Sequence, residues 1–409
     1  MAHIVRKCFH AVGNGTLFSG QILSARNSEV FNWIYDCGST SKKIILDTVN
    51  SLPVWFQSSK TIDMLVISHF DNDHVNGLEI LLKNFYVKRL VLPYTEWPQT
   101  IREISILGKK GITPSVALFQ LNPAKWLQVN GLDNRISEIV LVEGRNAQDY
   151  DTLPLNKDSL DSPDVPQDYP PDAAGVSVFF DFDIPFQHSG IKIMKINHLQ
   201  PINDLSKSFE FMFYNAEKNF SELGLIYKSG GQSFAKKSGK ALSIVKADIE
   251  QIIISLGLNQ HINKLPANWR KILKNCYEQH FGHTGKAKNN ISLCMYAAPL
   301  KTNSNLYNSR HATLLTGDIN LSCNVVDDME IHFGRNRWQS LKIVQVPHHG
   351  SKYSWTAGNT AKFIPARFVQ CVTPTKNHPH LNVTADLVNF GGIVYEADRK
   401  SAVNYSYTY

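Results

Sequence analysis

The feature that most constrains this chain is the run Ser68-His69-Phe70-Asp71-Asn72-Asp73-His74. Two imidazoles and two carboxylates lie close together here, where an apolar run of strand type, DMLVIS, meets the helical pattern VNGLEILLKNF. A strand entering the cluster and a helix leaving it fix the turn at both ends. The short loop between them can then curl its metal-ligating side chains inward. The start of the helix also aims the positive end of its dipole at the same spot, which favours a bound anion. A sheet is needed to hold such a turn, so the chain is expected to be an α/β protein.

The flanking segments support this reading. VRKCFHAV, GTLFSGQILS and FNWIYDCG are short, partly alternating and punctuated by glycine, as strands joined by tight turns are. SKKIILDTVNSL has helical spacing, and KRLVLP is a buried-type strand. Strand, helix, strand in this order predicts a layered α/β sheet. ALFQL and SEIVLVEG read as further strands, and residues 148–174, rich in Asp, Pro and Ser, read as a loop or linker. VSVFFDFDI and IKIMKINHL resume strand-like alternation, and KALSIVKADIEQIIISLGL and NWRKILKNCYEQHF look helical. Short strands return in ISLCMYA, ATLLTGDI, LKIVQVP, FVQCV and GGIVYEA. Motifs that carry chemistry fall on both sides of the helical middle. The expected organisation is therefore a first half-fold at 1–150, a linker and partly helical, basic insertion at 151–287, and a second half-fold at 288–409.

Composition excludes some classes of function. With 43% hydrophobic and 19% charged residues, the chain has the balance of a soluble globular protein. No run approaches the roughly 18 apolar residues of a membrane span, and the N-terminal MAHIVRKCFHAVGNG has no apolar core of signal-peptide length. A cytoplasmic location without membrane contact is expected. Cys8, Cys37, Cys276, Cys294, Cys323 and Cys371 form no CxxC pair and are expected as free thiols. The net charge of +7 is concentrated: residues 231–290 carry ten Lys or Arg against three acids. Such a segment raises the local concentration of a polyanion. Phe234, Trp269, Arg270, Tyr277 and Phe281 interleave within it, a pattern expected either of a single-strand groove or of helices that dock a protein partner.

HFDNDH resembles the HxHxDH signature of the metallo-β-lactamase superfamily in an HxDxDH form. ATLLTGDI, which ends an apolar strand at Asp318, and LKIVQVPHHGS, which brings His348 and His349 to the end of another, resemble its later motifs. Taken together with PHHGSKYS, they resemble the metallo-β-lactamase domain of the ComEC-type DNA-uptake family and its soluble relatives. Gly13-Asn14-Gly15 with YDCGS, NNISLCMY, and KNHPH followed by GGIVYEAD add weaker matches. The resemblance covers roughly residues 1–100 and 288–405, and the middle of the chain matches no family.

The resemblance implies an αββα metallo-β-lactamase sandwich, of two mixed sheets flanked by helices, with a largely helical insertion. It implies two divalent metal ions, zinc or manganese. His69 and Asp71 would hold one and Asp73 and His74 the other, with Asp318 between them. His348 is favoured as the last ligand, with His349 supporting it or contacting substrate, and the choice between them stays open. Asp36, Asn289, Ser351 and Lys352 would either support the ligands or contact substrate, and His378 lies near the active site. Asp71 stands where many members have His, and the harder oxygen ligand favours manganese beside zinc.

The function so implied is hydrolysis by a metal-activated water. Asp73, His349 and His378 are the expected catalytic groups, and a DNA phosphodiester is the leading substrate. A small-molecule hydrolase acting on a nucleotide, lactone or phosphocholine ester is the alternative, since one fold hosts many reactions. A non-catalytic or partner-gated binding module is a third reading.

Overall fold

Residues 3–24, 30–105, 112–144, 180, 190–216, 225–227, 233–260, 264–283, 292–300, 310–363, 365–375 and 378–409 are described by the computed structural model of this chain. The linker expected at 148–174, all of VSVFFDFDI except Phe180, and Asn289 lie outside the described residues.

Alternating and apolar runs pair into two sheets. The first contains β1 (His3–Phe9), β2 (Phe18–Ser24), β3 (Val30–Tyr35), β4 (Thr61–Val66), β5 (Tyr86–Pro93), β6 (Ile136–Glu143) and β7 (Lys192–Asn197) in that spatial order. The second contains β8 (Ile202–Asn203) and β9 (Phe209–Tyr214). After a separate hairpin of β10 (Leu225–Tyr227) and β11 (Ser233–Ala235), it continues with β12 (Cys294–Pro299), β13 (Ala312–Leu315), β14 (Leu341–Gln345), β15 (Arg367–Cys371) and β16 (Ile393–Ala397). The C-terminal strand β17 (Val403–Thr408) returns to the first sheet and pairs antiparallel with β1. Both sheets change direction partway. The first is antiparallel from β17 to β3 and parallel from β3 to β7. The second is antiparallel from β8 to β13 and parallel from β13 to β16.

Three apolar clusters define the layers. Val5, Phe9, Trp33 and Val66 of the first sheet meet Phe209, Phe211, Met295 and Val369 of the second, so the sheets pack face to face. The outer face of the first sheet is covered by α1 (Lys42–Trp55), α3 (Leu78–Asn84), α4 (Trp97–Ser105), α5 (Pro114–Leu121), α6 (Pro123–Val129), α7 (Leu242–Ser255) and α8 (Trp269–Phe281). The outer face of the second is covered by α9 (Cys323–Phe333), α10 (Arg335–Gln339), α11 (Asn359–Phe363) and α12 (Leu381–Asn389). The chain is thus a four-layer αββα sandwich of two mixed sheets, the architecture the resemblance implied. No helix among the described residues is long and apolar enough to cross a membrane.

Four sequence expectations are corrected. ALFQL is helical, not a strand. Thr113 Oγ1 caps α5 by accepting the Val116 N–H at 3.3 Å, Pro114 presets its first turn, and Asn122 caps α6 directly behind it. A fully buried apolar run has no period of its own, so these caps decide. VNGLEILLKNF is not one helix: α2 (Asn72–Val75) is a single turn, and α3 restarts at Gly77. A Cβ at Gly77 would sit 2.5 Å from Ile45 and 2.7 Å from Cys37, so this corner needs glycine. The dipole expected at the cluster is therefore that of one turn. Within 151–287, β7 to β9 are integral strands of the two sheets, and α7 and α8 pack into the core of the first half-fold. Finally, Trp269, Tyr277 and Phe281 are buried in that core and line no groove, and the Arg270 Nε donates to the Ile104 carbonyl at 3.1 Å.

A buried bidentate ion pair ties α10 to β9. Arg337 Nε and one terminal nitrogen donate to the two Glu210 oxygens at 2.8 and 3.0 Å. Arg337→Met leaves that buried carboxylate without its counter-charge and is expected to cost about 3–5 kcal/mol of stability. Urea unfolding checks this, and a loss below about 1 kcal/mol would show that water reaches the pair.

Candidate metal centre

The centre lies between the C-terminal ends of the parallel strands of both sheets, where open α/β sheets leave a crevice. At the end of β3, Asp36 takes a left-handed backbone (φ 58), and its N–H donates to the Val66 carbonyl at 2.8 Å. Its buried carboxylate is thereby turned across the end of β4. There it accepts the Ser68 N–H, the Ser68 hydroxyl and the His74 Nδ1–H, each at 2.7 Å. Gly38 lets the ligand loop close on this strand end, since a Cβ there would stand 2.3 Å from the Asp73 carbonyl carbon.

These bonds assign the tautomers. His74 donates its Nδ1–H to Asp36, which aims Nε2 at Asp318 Oδ1, 3.2 Å away. Ser68 spends its one proton on Asp36, so its oxygen accepts from His69 Nδ1 at 2.9 Å and leaves His69 Nε2 bare. That atom stands 3.6 Å from Asp318 Oδ2 and 3.9 Å from Asp71 Oδ2. His69 Nε2, His74 Nε2 and Asp318 Oδ1 are all buried and face one another. Acceptors facing one another in a dry site require a cation or a proton between them. This donor set fits a divalent metal of borderline softness.

A second group forms beside it. His349 Nδ1 donates to the Cys371 carbonyl at 2.7 Å, which directs Nε2 at Asp73 Oδ2, 3.2 Å away. His69, His74 and Asp318 form one cluster of donor atoms, and Asp73, His74 and His349 form the other, the atoms within each lying within 4.8 Å of one another. The favoured choice from sequence was His348, but the histidine in these clusters is His349. Both residues take left-handed backbones (φ 49 and 54), which throws the His349 ring inward and leaves His348 partly exposed. The His348 Nδ1 lies 3.2 Å from the Ser354 hydroxyl and 3.7 Å from Asp318 Oδ2.

Burial opposes charge on His74, but Asp318 and Asp36 outweigh it and raise that ring well above its usual range. Burial likewise opposes charge on His349, where the Asp73 hydrogen bond and the Asp318 charge prevail and raise its pKa. Burial would raise Asp318 and Asp73, yet the surrounding imidazoles hold both below the usual carboxylate range. Without metal, protons occupy the places between the carboxylates where cations would sit.

The other residues expected from sequence surround this centre. The His378 ring stands 6.0 Å from that of His348 and 6.4 Å from that of His349. Its Nδ1 is buried without a hydrogen bond, and burial, then the charges of His349 and His348, push its pKa down to about 4. Ser351 is buried: its N–H donates to the His348 carbonyl at 3.0 Å, and its hydroxyl accepts the Tyr353 N–H at 3.3 Å. Ser351 thus stiffens the ligand turn. Lys352 is exposed.

Two supporting residues went unassigned in the sequence. Ser292 Oγ accepts the Asp318 N–H at 2.9 Å and lies 3.4 Å from His69 Nδ1, joining ligands that belong to different sheets. Its signal was the serine of NNIS. Gln345 Oε1 accepts the N–H groups of Thr316 and Gly317 at 3.1 and 3.3 Å, and its Nε2 donates to Thr16 Oγ1 at 3.2 Å. A lone amide in the apolar run LKIVQVP was its signal.

No protein-family model and no curated protein matches this chain. Among solved structures, it is similar to the metallo-beta-lactamase fold protein YhfI from Bacillus subtilis, at 10% identity and a TM-score of 0.35, over 99% of this chain and 100% of that one. It is also similar to unliganded yeast PDE1, at 9% identity and a TM-score of 0.37, over 97% of each chain. Likeness at this level does not bear on chemistry, which rests on the centre itself.

Asp36→Asn and Ser292→Ala should each weaken metal binding about 10–100-fold, because both remove a bond that orients a ligand. Competition with a chromophoric chelator checks this, and unchanged affinity in both would deny the metal centre. Metal uptake should also release protons near neutral pH and weaken as pH falls, since His74 and His349 must give up protons to ligate. Calorimetry in buffers of different ionisation enthalpy reads the number released.

Proposed function

We propose that this chain is a metal-dependent phosphodiesterase that cleaves DNA, with two divalent ions, zinc or manganese, as cofactors. The observation that carries this reading is the buried meeting of His69, His74 and Asp318, whose ligand atoms lie within 4.8 Å of one another. His69 and Asp71 would hold one ion, and Asp73, His74 and His349 the other. The two oxygens of Asp318 face different histidines and would serve both. When bound, such ions supply an activated water and polarise a phosphoryl oxygen.

The chain's own groups do the rest. Asp36, Ser68 and Ser292 hold the imidazoles with their lone pairs inward. Asp71, Asp73 and Asp318 set three negative charges against two dications, leaving the centre about one unit positive and suited to a phosphodiester anion. His348 and Lys352 stand at the mouth, where phosphate oxygens would enter. His378 is placed to exchange a proton with the leaving oxygen.

DNA as substrate draws support from the ComEC-type motifs and from the basic segment. Lys236, Lys237, Lys264 and Lys271 are exposed there, whereas Lys240 pairs with Asp248 at 2.8 Å and Lys274 with Glu278 at 3.6 Å. The same segment remains a candidate docking face for a protein partner.

The test is cleavage of labelled single- and double-stranded DNA by metal-stripped protein resupplied with manganese, zinc or magnesium. Asp73→Ala and Asp318→Asn should each fall below about a hundredth of the parent rate, the scale of losing metal-borne stabilisation of the transition state. Cleavage should also weaken steeply with salt if lysines contact phosphates. A chain that binds two ions yet cleaves no DNA under any metal overturns the reading, and salt-independent turnover of a small ester would favour a small-molecule hydrolase.

A further inference from the structure

The loop that follows the ligand turn presents an aromatic ring to solvent. Tyr353 is 73% exposed, although its backbone is held in place by the Ser351 hydroxyl. Its ring belongs to a row. His380 meets it edge-on at 6.1 Å, and His378 stands 5.1 Å from His380. His378 in turn stacks on His348 at 6.0 Å, and His348 lies 3.7 Å from Asp318. Four rings therefore run without a break from the metal centre to the surface. Lys352 Nζ lies 5.2 Å from the Tyr353 ring centroid. The sequence on both sides of this row, 347–355 and 373–382, contains no Asp or Glu.

We propose that Tyr353, with Lys352 and His380, forms a subsite for an unpaired nucleobase next to the scissile phosphate. The inference rests on the phosphodiesterase reading of the centre and deepens it: the substrate is a strand whose base beside the cleaved bond is unstacked and unpaired. The chemistry is that of single-strand binding surfaces. A π-face accepts any base by stacking, and a neighbouring cation holds the phosphate. A paired base cannot reach the ring without leaving its helix, so single strands and frayed ends are favoured over intact duplex.

The test compares two esters with the same leaving group, thymidine 5′-(p-nitrophenyl phosphate) and methyl p-nitrophenyl phosphate, on metal-loaded protein. The parent should prefer the nucleoside ester by at least about tenfold in kcat/KM, the scale of one stacked base. Tyr353→Ala should reduce that preference about tenfold, mainly through KM, and Tyr353→Phe should keep it, because stacking needs the ring and not the hydroxyl. No preference in the parent, or the same preference in Tyr353→Ala, overturns the subsite. If neither ester is hydrolysed, the phosphodiesterase reading fails, and binding of thymidine 5′-monophosphate against 2-deoxyribose 5-phosphate decides the subsite alone. Tighter binding of the nucleotide that Tyr353→Ala abolishes and Tyr353→Phe retains supports it, and equal binding of the two probes overturns it.

Discussion

The His74 imidazole, held between Asp36 and Asp318, is the contact on which the centre depends. Asp36 comes from the first sheet and Asp318 from the second, and the ring that joins them is fully buried. One nitrogen donates to the Asp36 carboxylate, and the other faces the Asp318 carboxylate. In a low dielectric that arrangement is costly unless a cation completes it. The interaction that pins the two half-folds together is thus also the one that a proton or a cation would complete.

The sandwich makes this possible through its change of strand direction. In each sheet the parallel half delivers strand ends to the same rim, so that β3, β4, β13, β14 and β15 all terminate around one crevice. Ligands arrive from turns that rigid strands anchor, and the supporting bonds of Ser292 and Gln345 run from sheet to sheet. Orientation of this kind is what a metal or a transition state requires, because a displaced ligand loses affinity faster than it loses stability. Around the rim the acids give way to His348, His378, His380 and Lys352.

The sequence by itself determined the local elements. The position of HFDNDH on a strand-to-helix turn, the strand ends at Asp318 and His348-His349, and the alternation of most strands follow from neighbouring residues, and the structure brings these segments to one place. Tertiary structure alone decided which histidine turns inward, since two successive left-handed residues set the ring directions and no spacing encodes them. It also decided that ALFQL is helical, that the aromatic residues of α8 are core, and that β9 and β17 complete the sheets. The roles of Ser292 and Gln345 belong here as well, because their partners lie 223 and 329 residues away along the chain. The physical reason is common to all of these. Propensity and periodicity are read over a few residues, whereas the burial of a side chain and the direction of its donor atom are set by what the opposite sheet or layer places against it.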